Sequence, residues 1–390
     1  MGIETVYWGL PIVTYLFMIG ITAGSYAVAS LPQVFGLERY EPLTKIALPV
    51  TLAFLLLAPM GPLADAGQPG RWPELFLRAH IPVSPLGLFT LIWGLYFIVV
   101  IVETYIVYRV PNIRMAQAKE GAKGRLYRIL SLGNTDVSEA RLERDQSWLK
   151  ILSVVGIILS IAFVGYDAYM FASLKADPLW ASPMIIPMFL VSAAVSGFAI
   201  ITVVYAVIGA GDGAARPDLL DGLMRLLMWM IFIDLLFDVI DMLTSIPTVY
   251  ASAPLAAGWR VFLGGPLTAS YWLGQIATLV LALVLTWFPA VRKSARLASL
   301  TSLVTLFSVF MMRYNIVIGG QMEPKVSQGF VTYAPPVFGP GSWQVVFGLL
   351  ALAVFILSVL FTVLPWRNDS GGDESAVHPR LQAHVRSLNQ

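Results

Sequence analysis

The amino-acid sequence predicts an all-α polytopic membrane protein. Hydrophobic residues make up 57% of the 390 residues and charged residues only 12%, whereas soluble domains are about 25% charged. Mean hydropathy is +0.76, and the apolar residues are grouped in runs of about 20, the length that crosses ~30 Å of hydrocarbon. A soluble fold leaves too much of its surface in water to hide this much apolar area.

Nine apolar segments are long enough to span the bilayer. Because the first one lacks a basic N-terminal region and a small-residue cleavage site, we expect a span there and not a cleavable signal peptide. The segments cover residues of about 10–31, 45–64, 86–108, 149–173, 182–209, 223–246, 268–290, 296–318 and 343–364. The predicted organisation is a transmembrane domain over 1–366, containing a long polar cytoplasmic loop at 109–148, and a polar cytoplasmic tail at 367–390.

The distribution of Lys and Arg predicts the orientation. These residues are concentrated in the odd-numbered connections, and none precedes the first span. The third connection holds most of them: Arg109, Arg114, Lys119, Lys123, Arg125, Arg128, Arg141 and Arg144. Since positively charged connections stay in the cytoplasm, we predict a multi-pass protein of the cytoplasmic (inner) membrane with its N-terminus outside and its C-terminus inside. The net charge of +2 gives no indication of a nucleic-acid partner.

Cysteine and histidine usage restricts the electron carriers that this chain could hold. The sequence has no cysteine and three histidines, of which His378 and His384 lie in the predicted tail. Iron–sulfur clusters need several Cys ligands and a bis-histidine haem needs two histidines. We therefore expect no haem and no iron–sulfur cluster bound by this chain, so any such carrier must belong to a partner.

A polar turn between the second and third spans is the first candidate site. It reads Asp65-Ala-Gly67-Gln-Pro69-Gly-Arg71-Trp72, and His80 and Ser84-Pro85 follow. Gly and Pro favour a turn, and an Arg can hold an Asp as a bidentate pair. The structural alternative is a re-entrant turn with Trp72 at the membrane interface. A lone interfacial histidine such as His80 is more often a structural hydrogen-bonder.

A second candidate site is a row of carboxylates in the sixth span. Asp234, Asp238 and Asp241 have i, i+4, i+7 spacing, which places them on one helix face. A charged side chain in the bilayer costs ~2.5–3.5 kcal/mol on insertion scales, so this face should contact protein or water. The functional interpretation is a proton path, which Glu103 could continue; Glu103 could equally reach the interface. The alternative is a buried polar network that ties helices together.

A weaker signal lies at the fourth and fifth spans. Tyr166 and Asp167 place an aromatic ring beside a carboxylate near the predicted outer surface, as in a pocket for a flat ring. Ser192, Ser196 and Gly197 on the fifth span are small residues, and these favour close packing of membrane helices.

These segments together resemble the NrfD/PsrC family of quinone-interacting integral membrane subunits. The resemblance covers most of 8–364, and its most specific parts are the Asp65–Trp72 turn, Ser84-Pro85 and the block that contains Pro178-Leu179-Trp180 and Ser192 to Gly197. Within the family, the long third connection and Arg313-Tyr314-Asn315 look most like DsrP, the membrane subunit of the Dsr electron-transfer complex of sulfur metabolism.

The resemblance implies a fold, a substrate and partners. The fold would be two four-helix bundles plus one additional helix. The substrate would be a quinone, menaquinone or ubiquinone, exchanging electrons with a periplasmic iron–sulfur (ferredoxin-like) subunit, alongside other membrane and cytochrome subunits. Some family members have a first-helix histidine thought to bind the quinone. Tyr15 takes its place here, and a phenol can also hydrogen-bond a quinone carbonyl.

The predicted function is that of a quinone/quinol-interacting membrane subunit of a respiratory or sulfur-metabolism electron-transfer complex. The quinone-site residues would be Tyr15, Asp65, Arg71, His80 and Tyr166. The proton-path residues would be Asp234, Asp238, Asp241, Glu103 and Asp167. The alternative is a secondary transporter or proton channel that uses the aspartates of the sixth span, although the inverted repeats common in transporters are not evident.

The ligand inventory gives a spectroscopic prediction. When partner subunits are removed, the isolated chain should have no Soret band, because it lacks the cysteines and paired membrane histidines that hold haem. Visible absorption of the purified protein, measured beside that of the intact complex, checks this. A Soret band that stays with the isolated chain would contradict the prediction.

Overall fold

The structure is a computed structural model that describes residues 5–65, 68–78, 80–81, 83–182, 184–210, 216–245, 258–323 and 329–367. Two residues of the polar turn, Ala66 and Gly67, lie outside the described residues. So does the predicted polar tail beyond Arg367, including His378 and His384.

The described residues form nine long helices, one for each predicted span. Their bounds are α1 Leu10–Ala29, α2 Glu41–Leu57, α3 Pro85–Ala118, α4 Glu139–Ala172, α5 Ile185–Ala210, α6 Pro217–Ser245, α7 Ser270–Ala277 as a π-helix continued by Thr278–Trp287, α8 Ala295–Met322 and α9 Trp343–Val363. Short helices connect them at Leu31–Phe35, Met60–Asp65, Glu74–Leu77, Gly121–Leu130 and Pro289–Lys293.

Eight of these helices are long and apolar enough to cross a membrane. The exception is α6, whose 29 residues are long enough but include the row of aspartates. α6 packs against α5 and α7, and Gln275 of α7 donates to Asp238. The prediction of an all-α polytopic membrane protein is confirmed.

The helices pack as two four-helix bundles with one further helix. In the first bundle α1 contacts α2 and α4, while α3 contacts α2 and α4. In the second bundle α5 and α7 each contact α6 and α8. α9 packs on α2 and α1, outside both bundles, and only Val346 and Ala353 of its residues are buried. α1 lies at the centre, because it contacts both bundles and nearly all its side chains are buried.

Two glycines bring α1 and α5 together and so join the bundles. A Cβ atom on Gly24 would overlap the backbone of Ala193 and Gly197, and a Cβ atom on Gly197 would overlap the backbone of Gly24. Small residues allow this close backbone approach in membrane helices. The small-residue pattern of the fifth span therefore has a packing role here.

The connection expected as a polar loop at 109–148 is mostly helical. α3 continues to Ala118 and α4 already begins at Glu139, since Lys, Glu, Arg and Ala residues favour helix. Arg109 is fully buried and its Nε donates to Asp145 Oδ2 at 2.6 Å. Arg109 also donates to the carbonyl of Asp136. This buried pair holds the extensions of α3 and α4 side by side.

Replacing Gly24 by Ala should destabilise the protein. The added methyl group has no space between α1 and α5, and overpacking of this kind costs about 1–3 kcal/mol. Thermal unfolding of the purified protein in detergent is the measurement. Gly94→Ala is the matched control, because a Cβ atom there meets nothing within 4 Å. Equal melting temperatures for the two variants would contradict the close-contact interpretation.

Candidate functional site

A buried tyrosine–aspartate pair joins α1 and α4. The Tyr15 hydroxyl donates to Asp167 Oδ1 at 3.1 Å, and both side chains are buried. The second carboxylate oxygen, Asp167 Oδ2, accepts no hydrogen bond from the described residues. The Phe89 ring meets the Tyr15 ring edge-on at 6.1 Å. The pair lies near the first residues of α1 and the last of α4, the ends that the charge pattern predicts to be outside.

Tyr166 lies next to this pair on α4. Its hydroxyl donates to the carbonyl of Pro85, the first residue of α3, at 3.1 Å. Its ring contacts the ring of Tyr169 with centroids 6.0 Å apart. Ser84 caps the same end of α3, since its Oγ accepts from the Gly87 backbone N–H at 3.2 Å. The Ser-Pro motif therefore starts α3 beside Tyr166.

In the polar turn, Arg71 has a different ion-pair partner from the one that the sequence suggests. Arg71 does not pair with Asp65 in the described residues: its Nη2 lies 2.8 Å from Glu74 Oε2, and its Nη1 donates to Gln68 Oε1 at 3.3 Å. Glu74 lies one turn away from Arg71, so a local pair forms without a rearrangement of the turn. Arg71 is therefore exposed, at the surface of the turn.

Asp65 instead lies near Tyr333, which belongs to the connection before α9. The pKa of the Tyr333 phenol is raised, first by burial and then by the negative charge of Asp65. The Leu10 backbone N–H donates to the Tyr333 hydroxyl at 3.0 Å. Asp65 and the start of α1 are thus brought to the same end of the first bundle.

His80 lies on the exposed surface of the segment before α3. Its φ angle of 47° is uncommon for a residue with a side chain, and its Nδ1 lies 2.5 Å from the Arg78 carbonyl oxygen. Trp72 is exposed too, with its ring edge-on to Phe76 at 5.9 Å. Of the predicted quinone-site residues, Tyr15 contacts Asp167 and Phe89, Tyr166 bonds to Pro85, and Arg71 and His80 lie on the surface.

Arg313, which lies in the eighth predicted span, is a buried cation. It lies within α8 and is fully buried, with its guanidinium carbon 3.8 Å from the centre of the Phe189 ring. Its Nη2 donates to Ser192 Oγ at 2.6 Å, whereas Nε and Nη1 have no partner among the described residues. Arg313 interacts electrostatically with Asp234 and Asp167, so it lies between the two bundles' carboxylates.

The aspartates of α6 face the protein interior, as their spacing predicts. Asp234 and Asp238 are buried, and Gln275 Nε2 of α7 donates to Asp238 Oδ1 at 3.2 Å. The Ser182 hydroxyl donates to Asp241 Oδ1 at 3.0 Å. Asp238 interacts electrostatically with both of the other aspartates. The three carboxylates therefore form one group with partners on neighbouring segments.

A small cavity of about 40 Å³ adjoins Asp238 and Asp241. This volume has space for two or three water molecules at roughly 10–15 Å³ each. Its polar lining includes Gln275 and Asn315, and Asn315 Nδ2 donates to Gln275 Oε1 at 2.9 Å. Gln275 belongs to the π-helix of α7, and π-helical turns are frequent at functional sites.

Glu103 belongs to a separate polar group in the first bundle. It is fully buried, so it does not reach the interface as one interpretation expected. Ser153 Oγ donates to Glu103 Oε1 at 2.6 Å, and the Tyr26 hydroxyl donates to Oε2. These partners lie on α1 and α4, whereas the aspartates of α6 bond to the second bundle. The structure does not bring Glu103 together with them.

The sequence did not identify several polar residues of the buried groups around Asp238, Arg313 and Glu103. Gln275 and Asn315 are neutral residues within apolar spans, and nothing in their spacing distinguishes them from structural hydrogen-bonders. Arg313 could have been identified from the sequence, because an ionisable residue within a membrane span is by default a candidate functional residue. Tyr26 and Ser153 lie among apolar residues, and only the fold brings them to Glu103.

The fold and these buried groups define a polytopic membrane protein with ionisable residues held between two helical bundles. The chain matches the family described as "Polysulphide reductase, NrfD" over residues 2–325. It therefore belongs to the NrfD family, as the resemblance in the sequence predicts.

Three relatives align over nearly the whole chain. A selenate reductase subunit of Mesobacillus selenatarsenatis is 28% identical, and the alignment covers 97% of this chain and 91% of the relative. A tetrathionate reductase subunit of Archaeoglobus fulgidus is 23% identical, with 93% of each chain covered. The Hdr-like menaquinol oxidoreductase integral membrane subunit of the same organism is 22% identical, with 92% and 86% covered.

Proposed function

We propose that this chain is the quinone/quinol-interacting membrane subunit of a reductase or related electron-transfer complex. It would pass electrons between the membrane quinone pool, menaquinone or ubiquinone, and a periplasmic iron–sulfur partner subunit. The relatives' names support this proposal, because they describe subunits of reductases and of a menaquinol oxidoreductase. The finer resemblance to DsrP and to sulfur metabolism stays a prediction, as do cytochrome partners and the inner-membrane orientation with the N-terminus outside.

The buried pair of Tyr15 and Asp167 carries the proposal. A quinol must give up two protons and a quinone must receive two, so the site needs a hydrogen-bonding group and a proton acceptor close together. The Tyr15 phenol supplies the first and the Asp167 carboxylate the second, with Oδ2 still able to accept a hydrogen bond. Phe89, edge-on to Tyr15 and stacked on Phe163 with ring centroids 5.1 Å apart, gives the pair an aromatic wall.

In this proposal the other predicted quinone-site residues lie along the path by which a quinone would reach the Tyr15–Asp167 pair. Tyr166 lies one residue from Asp167 on α4, and Asp65 lies at the end of the short helix that follows α2. Arg71 and His80 are exposed on the same side of the protein. In this proposal they contact the partner subunit or the quinone as it enters, and they do not touch the buried pair.

The same proposal assigns proton transfer to the buried carboxylates. Asp167 would exchange protons with the quinone, while Asp234, Asp238 and Asp241 would relay protons through the second bundle. Arg313 interacts with both Asp167 and Asp234 and so connects the two groups electrostatically. Glu103, with Tyr26 and Ser153, would act separately towards the cytoplasmic end of the first bundle.

A transporter or proton channel is the rival function. The cavity beside Asp238 and Asp241 favours proton movement through the second bundle, but it holds only a few waters and adjoins the π-helix. Family membership favours the redox role. In our proposal proton movement accompanies quinone chemistry and does not occur without it.

Tyr15→Phe should weaken quinol turnover by the intact complex. Loss of one hydrogen bond to a buried polar ligand costs about 1–3 kcal/mol, or roughly 5- to 150-fold in kcat/KM. Steady-state oxidation of a soluble quinol analogue, with the melting temperature recorded in parallel, is the measurement.

Tyr169→Phe is the control for this experiment. Tyr169 lies two residues from Asp167 and also has a phenol, but its side chain is 54% exposed. Turnover should stay at the wild-type level in this variant. Wild-type kcat/KM in Tyr15→Phe, in a complex of normal stability, would contradict the assignment of Tyr15.

Asp238→Asn should lower proton uptake coupled to quinone turnover. Asn keeps the size of the side chain and can still accept from Gln275, but it cannot release or take up a proton. The measurement is the proton-to-electron ratio of the complex in sealed vesicles, with a pH-sensitive dye inside.

Asp218→Asn is the matched control, since Asp218 is an exposed aspartate at the start of the same helix. It should keep the wild-type ratio. Unchanged turnover and an unchanged proton ratio in assembled Asp238→Asn complex would leave only a packing role for the α6 aspartates.

A further inference from the structure

The short helix Gly121–Leu130, here called the connection helix, exposes both apolar and cationic side chains. Leu126, Ile129 and the following Leu132 are 40%, 69% and 76% exposed. Arg125 and Arg128 are exposed on the same short helix. A helix with apolar residues on one part of its surface and Lys or Arg on another is typical of a membrane-water interface.

The end of the connection helix lies at the edge of the hydrocarbon region. Tyr105 is twenty residues after Pro85, the start of α3, which is about 30 Å at 1.5 Å per residue and equals the thickness of the apolar core. The Tyr105 hydroxyl donates to the carbonyl of Ser131 at 3.4 Å. Ser131 immediately follows the connection helix, so Ile129 and Leu132 lie at the level where the acyl chains begin.

A cavity of about 480 Å³ separates the connection helix from the end of α3. Gly124 permits close packing at its edge, because a Cβ atom there would overlap the Lys119 carbonyl oxygen. The lining includes three cations and one carboxylate, a net charge of +2: Lys119, Arg125 and Arg128 with Glu120, beside the neutral polar Gln117, Ser131 and Asn134. Neither Arg125 nor Arg128 forms an ion pair with another described residue.

We infer that this cavity binds the phosphate head group of an anionic phospholipid. Two guanidinium groups and an ammonium group favour a phosphate, which Arg binds through paired hydrogen bonds. Basic pockets beside membrane helices bind acidic lipid head groups in this way. The exposed Ile129 and Leu132 would contact the acyl chains of the same leaflet while Arg125 and Arg128 hold the phosphate.

The position of the cavity favours a lipid over a soluble phosphate compound. A soluble anion would gain nothing from the exposed leucine and isoleucine side chains, whereas a lipid buries them. The buried Arg109, bonded to Asp145 and Asp136, holds the extended ends of α3 and α4 together next to the cavity. A lipid at this place would therefore fill a preformed space.

The test is native mass spectrometry of the detergent-purified complex, titrated with phosphatidylglycerol. Arg125→Gln/Arg128→Gln should raise the apparent Kd of the tightest bound phosphatidylglycerol by about thirtyfold, since each surface cation contributes about 1 kcal/mol to acidic-lipid binding. Titration with phosphatidylcholine should show no difference between this variant and the wild type.

Lys123→Gln/Arg144→Gln is the control, because both residues are exposed cations of the same connection and neither lines the cavity. It removes the same charge and should leave the Kd within about twofold of the wild type. Equal weakening in both double variants would show diffuse charge attraction and overturn the proposal, as would wild-type affinity in Arg125→Gln/Arg128→Gln. Displacement of the lipid by millimolar inorganic phosphate would point to a soluble anion and would also overturn it.

Discussion

The absence of water from the bilayer core is the constraint on which this structure depends. A charge within the hydrocarbon region must find its partners on other helices, because lipid offers neither donors nor acceptors. Arg313, Asp167 and Asp234 meet this requirement by lying where the two bundles face each other. Glu103 meets it with Tyr26 and Ser153. The helices are therefore arranged so that each buried ionisable group lies at a junction between them, and α1 takes part in most of these junctions.

The close approach of α1 and α5 makes the central junction possible. Gly24 and Gly197 remove the side chains that would hold these helices apart, and Ser192 on α5 is then placed to accept from Arg313. The Tyr15–Asp167 pair in the first bundle and the aspartates in the second are thus separate in sequence and in fold. A single cation on α8, Arg313, interacts with both groups. In the proposed function, the first bundle would hold the site for redox chemistry and the second the proton-carrying side chains.

Hydropathy predicted the nine spans because the bilayer imposes a length and a composition on each one. The inward face of α6 was predictable too, since helical spacing alone places Asp234, Asp238 and Asp241 together. The ion-pair partner of Arg71 was not predictable. Glu74 and Asp65 are both close to Arg71 in the sequence, and the sequence alone does not show which of the two carboxylates pairs with it. The helical content of 109–148 has no clear signal in the sequence, because polar residues occur both in exposed helices and in loops. The π-helix around Gln275 depends on contacts with α6 and α8 that have no local signature.

The lengths of α3 and α4 affect how the molecule would be seen in an electron microscope. Each helix has 34 residues, about 51 Å, while the apolar core is only ~30 Å thick. The paired ends therefore project beyond the hydrocarbon region on one side, while the connection helix turns back and ends near the level of Tyr105. Two similar bundles inside a micelle give particle images with little contrast, and the orientation of each particle is then difficult to assign. The projecting pair breaks this near-symmetry and would serve as an internal fiducial for alignment, without an antibody fragment on that side.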